Sequence, residues 1–231
     1  SIVAVLQYVL GLPLEMHSPQ TLFSPVVTVL ILANLVVLIV AFLEGSGNWI
    51  AGLGLVPSEV LCGRGLHKFF TSMFMHAGVF HLLGNMYFLY ITGDNVEERL
   101  GCWKFLGFYL VCGLVAGLAH VAGHPSSNVP AVGASGAISG VMGAYVVFFP
   151  HTRFLVRWLV YFYPVRWEIP ACAYFGLWVA LQIAYALVHL PGVAWWAHVG
   201  GFACGAAIAL AVRRGEQAKQ EGLAGGRRGA R

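Results

Sequence analysis

Six apolar runs follow one another along this chain of 231 residues, at 24–43, about 79–92, 103–121, 135–150, 170–190 and 195–212. Several approach the ~20 residues that carry a helix across a bilayer. Only 10% of the residues are charged, against about 25% in soluble domains. Backbone polar groups in lipid must be satisfied within their own segment, which favours helices. The expected fold is therefore all-α: a polytopic membrane protein with one bundle of six transmembrane helices over residues 24–213. Residues 1–12 are apolar but too short to span, so 1–23 reads as an N-terminal cytoplasmic or interfacial segment. Residues 214–231 are basic and Gly-rich, which predicts a disordered tail.

Charge sets the expected topology. Eleven of the thirteen Lys and Arg fall in the second and fourth loops and the tail, leaving Arg64 and Lys68 on the other side. The positive-inside rule then puts both termini in the cytoplasm and the first, third and fifth loops outside. The net charge of +4 is spent on topology and gives no reason to expect nucleic acid as a partner. The cysteines are scattered with no CxxC, which argues against a disulfide framework or a zinc knuckle. The first loop, 44–67, is long enough to be functional and reads as a half-buried segment lying along the membrane.

The fourth run opens with Gly133-Ala134-Ser135-Gly136. A helix of 16 residues covers ~24 Å, less than the ~30 Å hydrocarbon core. Ser135 should thus start below the outer surface, and irregular backbone at that depth requires a protein-covered or wet cavity. His198 lies one turn inside the outer end of the sixth run, at a similar level. A serine becomes a nucleophile when a base takes its proton, and a neutral imidazole can do so. No Asp or Glu occupies that leaflet, so the expected unit is a Ser-His dyad. The bland alternative is a histidine bonded to a neighbouring carbonyl. His81 and Asn85, four residues apart on one helix face, offer two N–H donors; the Ser135 amide at a helix N-terminus offers a third. Three convergent donors suit a tetrahedral oxyanion, although His81 and Asn85 could equally be inter-helix glue. Gly136, Gly140 and Gly143, and Gly201 with Gly205, allow close helix packing, which would bring His198 toward Ser135.

Other polar residues fit chemistry less well. Ser139 is one turn deeper than Ser135 and reads as packing. His120 and His124 form an i, i+4 pair that could hold a metal, but no HExxH and no intramembrane carboxylate accompany it, so no metal or other cofactor is expected. His17, His67, His151 and His189 read as interfacial or structural. Phe175 and Trp178 could form a lateral gate or simply face lipid.

Together these residues resemble the rhomboid intramembrane serine proteases: Gly133-Ala134-Ser135-Gly136, then His76, His81 and Asn85 in the second span, and Ala197-His198-Val199-Gly200-Gly201 in the sixth. The resemblance covers residues 24–214 in order. It implies Ser135 as nucleophile, His198 as base, and His81, Asn85 and the Ser135 amide as the oxyanion hole. His76, Gly133, Gly136 and Gly201 would be structural or cavity-lining, and Glu97 and Arg99 match the family's charged residues at the inner end of the second helix. The implied activity is cleavage of transmembrane segments of other membrane proteins, at small residues near the outer face. The expected setting is the lipid bilayer of a bacterial inner membrane, with the site opening outward. Two departures stand out. His67-Lys68 replaces the family's Trp-Arg pair, and Ser139 stands where an aromatic residue often supports the catalytic histidine. The alternatives are a non-catalytic rhomboid-like binder of membrane segments and, from another class, a channel or transporter; nothing in the sequence fixes an oligomeric state.

Overall fold

The computed structural model describes residues 13–16, 24–160 and 163–229. Of the expected N-terminal segment at 1–23, residues 1–12 and 17–23, His17 among them, lie outside the described residues. In chain order the elements are β1 (Leu14–Met16), α1 (Pro25–Glu44), α2 (Ser46–Leu53), α3 (Pro57–Leu61), α4 (Lys68–Thr71), a 3₁₀ turn (Ser72–Phe74), α5 (Val79–Leu100) and α6 (Cys102–Gly123). They continue with α7 (Ser135–Phe148), β2 (Arg153–Val160), β3 (Tyr163–Pro170), α8 (Ala171–Leu187) and α9 (Trp195–Gly229). The six long helices fall on the six apolar runs. Among the described residues, three segments are long and apolar enough to cross a membrane: Pro25–Glu44, Cys102–Gly123 and Trp195–Glu221. Ser135–Phe148 and Ala171–Leu187 are shorter apolar helices. The chain is an integral membrane protein with a helical bundle.

The shortest apolar helix is the central one. Every residue of α7 from Gly136 to Tyr145 is buried, enclosed by α5, α6 and α9. The peripheral α1 instead exposes Val29, Leu32, Val36, Ile39 and Phe42, apolar side chains that suit lipid. Its N-terminal turn begins at Pro25, which needs no amide partner. The next two amides, of Val26 and Val27, donate to the Glu97 carboxylate at 3.0 and 2.9 Å. A buried carboxylate is thereby placed against the positive end of a helix dipole, and α1 is clipped to the inner end of α5. Two residues on, Arg99 pairs with Glu216 of α9, and Arg213 donates to the Val147 carbonyl at the end of α7 at 2.7 Å.

Glycine contacts decide how α7 and α9 cross. A Cβ on Gly201 would collide with the Gly136 carbonyl, and one on Gly205 with the Gly140 carbonyl. The two backbones touch directly, with no side chain between them.

The sequence reading needs correction at three places. The fourth loop is an antiparallel β2–β3 hairpin, registered from Arg153↔Pro170 to Val160↔Tyr163, and β1 adds to its edge with Leu14 opposite Leu155. The run of β-branched and aromatic residues there favours strand. Phe154 anchors the hairpin by stacking on Tyr145 and meeting Phe175 edge-on. Phe175 is consequently core and no gate. The basic tail continues α9 to Gly229. The second helix runs on through the polar stretch at 93–99 to Leu100, since nothing there breaks it.

The first loop is folded. Lys68 is buried and pairs with Glu59 at 2.7 Å, so a lysine does fasten this loop. Thr71 donates to the Leu53 carbonyl at 2.8 Å. Leu55 and Ala131 exchange backbone hydrogen bonds at 2.9 and 2.8 Å, and the Gly133 amide donates to the Ser72 carbonyl at 2.9 Å. The loop therefore braces the segment that leads into Ser135. The Lys68 hydrogen bond holds the Glu59 carboxyl below its ordinary value of 4.5, against partial desolvation. A carboxylate depressed in the folded chain adds stability above its unfolded pKa, and that stability is lost as pH falls through the folded one. Thermal melts should therefore show wild type more stable than Glu59→Gln at neutral pH. The difference should shrink as pH drops below 4.5.

Candidate active site

Ser135 is the first residue of α7, and His198 sits in the second turn of α9. The backbone contact of these two helices brings the side chains together: Ser135 Oγ and His198 Nε2 are 2.8 Å apart. His198 is buried, and its Nδ1 lies 2.7 Å from Gln182 Oε1 on α8. The Gln182 amide nitrogen in turn donates to the Trp178 carbonyl at 3.3 Å. That second bond orients the amide, so Oε1 faces the ring. An oxygen there accepts only from N–H, which puts the imidazole proton on Nδ1. The Nε2 lone pair then accepts from the Ser135 hydroxyl.

Three aromatic or polar groups fix the ring. Trp178 lies 5.6 Å from it at 33°, and Trp195 meets it edge-on at 6.3 Å. The support that the sequence lacks at Ser139 comes instead from Trp178 and Gln182. Gln182 carries no charge, so the sequence does not mark it as the partner of a catalytic histidine. The available signal was a lone amide, costly inside a span, one turn after a tryptophan. Ser139 donates to the Ser135 carbonyl at 2.6 Å, which occupies its hydroxyl within the helix.

His81 and Asn85 border the same cavity. The Ala77 amide donates to His81 Nδ1 at 3.5 Å, leaving Nε2 as the protonated nitrogen. Gly133, at φ +128°, presents its bare α-carbon to that ring; a Cβ would stand 2.9 Å from His81 Nε2. Both the backbone angle and the contact require glycine. Asn85 Nδ2 is 2.9 Å from His76 Nε2, and the His76 ring meets His81 edge-on at 5.0 Å. His76 thus stands behind both donors. Gly136 packs against Ala116, and Gly201 against the Gly136 carbonyl.

The cavity measures about 870 Å³ and is lined by Ser135, His198, His81, Asn85, Trp178 and Gln182 among others. It is mostly apolar, with a few polar groups gathered at one wall, as substrate sites are. His120, His124 and His189 also line it, so His189 is a cavity residue, held at φ +54°. Of the other histidines, His67 precedes α4 and His151 is exposed; neither approaches the site.

Residues 63–215 match the profile of the Rhomboid domain. RHOMBOID-like protein 6, mitochondrial, of Arabidopsis thaliana is 30% identical over 165 residues, covering 71% of this chain and 50% of the relative. Rhomboid-type serine protease 2 of Emericella nidulans is 27% identical over 154 residues, 67% of this chain and 28% of the relative. Presenilin-associated rhomboid-like protein, mitochondrial, of Homo sapiens is 32% identical over 107 residues, 46% and 27% respectively. The chain spans half or less of the length of these relatives.

Proposed function

The chain belongs to the rhomboid family, and from that premise we propose that it is an intramembrane serine endopeptidase acting on transmembrane segments of other membrane proteins. The observation that carries this is the hydrogen-bonded series Ser135–His198–Gln182 on the wall of a cavity set within the bundle. Ser135 Oγ attacks the scissile carbonyl carbon, and His198 Nε2 takes the hydroxyl proton. The Ser135 amide, His81 Nε2–H and Asn85 Nδ2–H receive the oxyanion. As the C–N bond breaks, His198 returns the proton to the leaving amine. Water, deprotonated by the same nitrogen, then releases the acyl chain and restores Ser135. A substrate helix must unwind locally to present its carbonyl, so helix-weakening residues near the cut favour cleavage.

Gln182 is a positioning residue in this scheme. It is neutral, so it holds the tautomer and ring angle without a countercharge; the face of Trp178 offers the imidazolium a cation–π partner instead. Gln182→Ala is expected to lower kcat by about 10²-fold with little change in KM. Steady-state kinetics on a fixed substrate check this, and a change confined to KM would contradict it.

The catalytic domain is assigned to residues 24–213, with a separate N-terminal segment and a basic tail. Charge asymmetry supports cytoplasmic termini and a site opening to the opposite face. The relatives named above are from a plant, a fungus and a mammal, and they lend no support to a bacterial inner membrane.

The reading is tested by reconstituting the chain in liposomes with a model transmembrane substrate. Cleavage that depends on Ser135 and His198 and survives a chelator supports it. Tight substrate binding without cleavage or serine labelling would favour a non-catalytic binder.

A further inference from the structure

His120, His124 and His189 on the cavity wall take no part in the scheme above, and the first two form a pair. His120 and His124 are one turn apart at the outer end of α6, with the His124 amide bonded to the His120 carbonyl at 3.0 Å. Their ring centroids are 5.1 Å apart. Two imidazoles sharing one tetrahedral ion at ~2.0–2.1 Å place their ring centres roughly 5 Å apart. His120 is 8% exposed, and the Nδ1 atoms of both rings are buried without a hydrogen-bond partner among the described residues. A buried imidazole nitrogen left unpaired is costly, and an ion relieves that cost as readily as a hydrogen bond. Both residues line the cavity that holds Ser135 and His198.

We propose that His120 and His124 form a two-imidazole site for a divalent transition-metal ion, and that an ion bound there obstructs substrate entry to the cavity. Neutral nitrogen ligands select Cu²⁺ above Zn²⁺ and both far above Mg²⁺ or Ca²⁺, which prefer oxygen. No group of three or more His, Cys, Asp or Glu is placed to hold a metal among the described residues. Two protein ligands alone hold an ion loosely, which makes the site exchangeable. The ion is an inhibitor in this account and supplies nothing to the reaction. Binding at the pair is independent of the protease reading; only the inhibitory role rests on it.

The test uses the full, untagged chain in detergent with Cu²⁺ as probe, read by nitrogen hyperfine structure in electron paramagnetic resonance and by titration. Wild type and Ser135→Ala should each bind one ion through two nitrogens, with Mg²⁺ and Ca²⁺ failing to compete. His124→Asn, whose side chain is only half buried, should weaken binding at least tenfold while melting like wild type. Undiminished binding by His124→Asn would overturn the site. In the cleavage arm, Zn²⁺ at a saturating level should inhibit wild type and spare His124→Asn. Unchanged wild-type cleavage at full occupancy would overturn the inhibitory role. A wild type that binds the ion but cleaves nothing would count against the protease reading alone.

Discussion

Ser135→Ala is expected to lower cleavage of a transmembrane substrate by about 10⁴- to 10⁶-fold, to the assay background. The next hydroxyl along α7 does not substitute. Ser139 is one turn deeper and spends its proton on the Ser135 carbonyl. His198→Ala should cost nearly as much, because a serine hydroxyl without a base at 2.8 Å is a poor nucleophile at neutral pH. The double variant should be no worse than either single one, since the two side chains act as one unit. Initial rates of the three variants and wild type, at matched protein in liposomes, check all three statements. Multiplicative losses would mean that serine and histidine contribute separately.

The second large effect is structural. Gly205→Val should both destabilise the protein and abolish cleavage. A side chain at Gly205 meets the Gly140 carbonyl, its carbonyl carbon and its α-carbon. These are backbone atoms of a buried helix and cannot swing aside. Overpacking in a dense core costs about 1–3 kcal/mol, occasionally more. Here relief requires the two helices to part. His198, Gly201 and Gly205 are spaced i, i+3, i+7 and share a face of α9. Separation at Gly205 therefore draws His198 from Ser135, and displacement of about 1 Å already costs 10²-fold in rate. Gly176→Ala is the control: Gly176 is exposed on α8 and a Cβ there meets nothing within 4 Å. Its melting temperature should equal or slightly exceed that of wild type, because alanine is the better helix former, and its activity should match. Thermal melts and cleavage rates on both variants would show whether close contact at Gly205, as opposed to glycine content, holds the site together.

What could be read from the sequence divides along physical lines. Apolar runs announce membrane helices because the bilayer leaves few alternatives, and all six long helices lie on those runs. Depth follows from length: α7 has 14 residues, so at 1.5 Å each it covers ~21 Å of a ~30 Å core. Ser135 and His198 were legible because each is a polar group in a costly place. Their meeting, however, depends on backbone contact at Gly136–Gly201 and Gly140–Gly205, and a GxxxG pattern alone does not name its partner helix.

Gln182 is hard to read from sequence for a chemical reason. An acid would have been visible by its charge, whereas a neutral amide at 5% exposure acts only through its orientation. Lys68 illustrates the converse. Its charge was plain, but its pairing with Glu59 depends on how the first loop folds back. The hairpin at Arg153–Pro170 reads as a loop in the sequence because Arg153, Arg157, Arg166 and Glu168 interrupt its apolar residues. Its strand character became clear only through Phe154, inserted between Tyr145 and Phe175.

The central claim is that Ser135 is a nucleophile activated by His198. Its most direct test is labelling of the folded chain with a fluorophosphonate, followed by mass spectrometry of the modified peptide. The account predicts one adduct, on Ser135, absent from Ser135→Ala and lost from His198→Ala. An adduct on Ser139 or elsewhere, or equal labelling of His198→Ala, would contradict it.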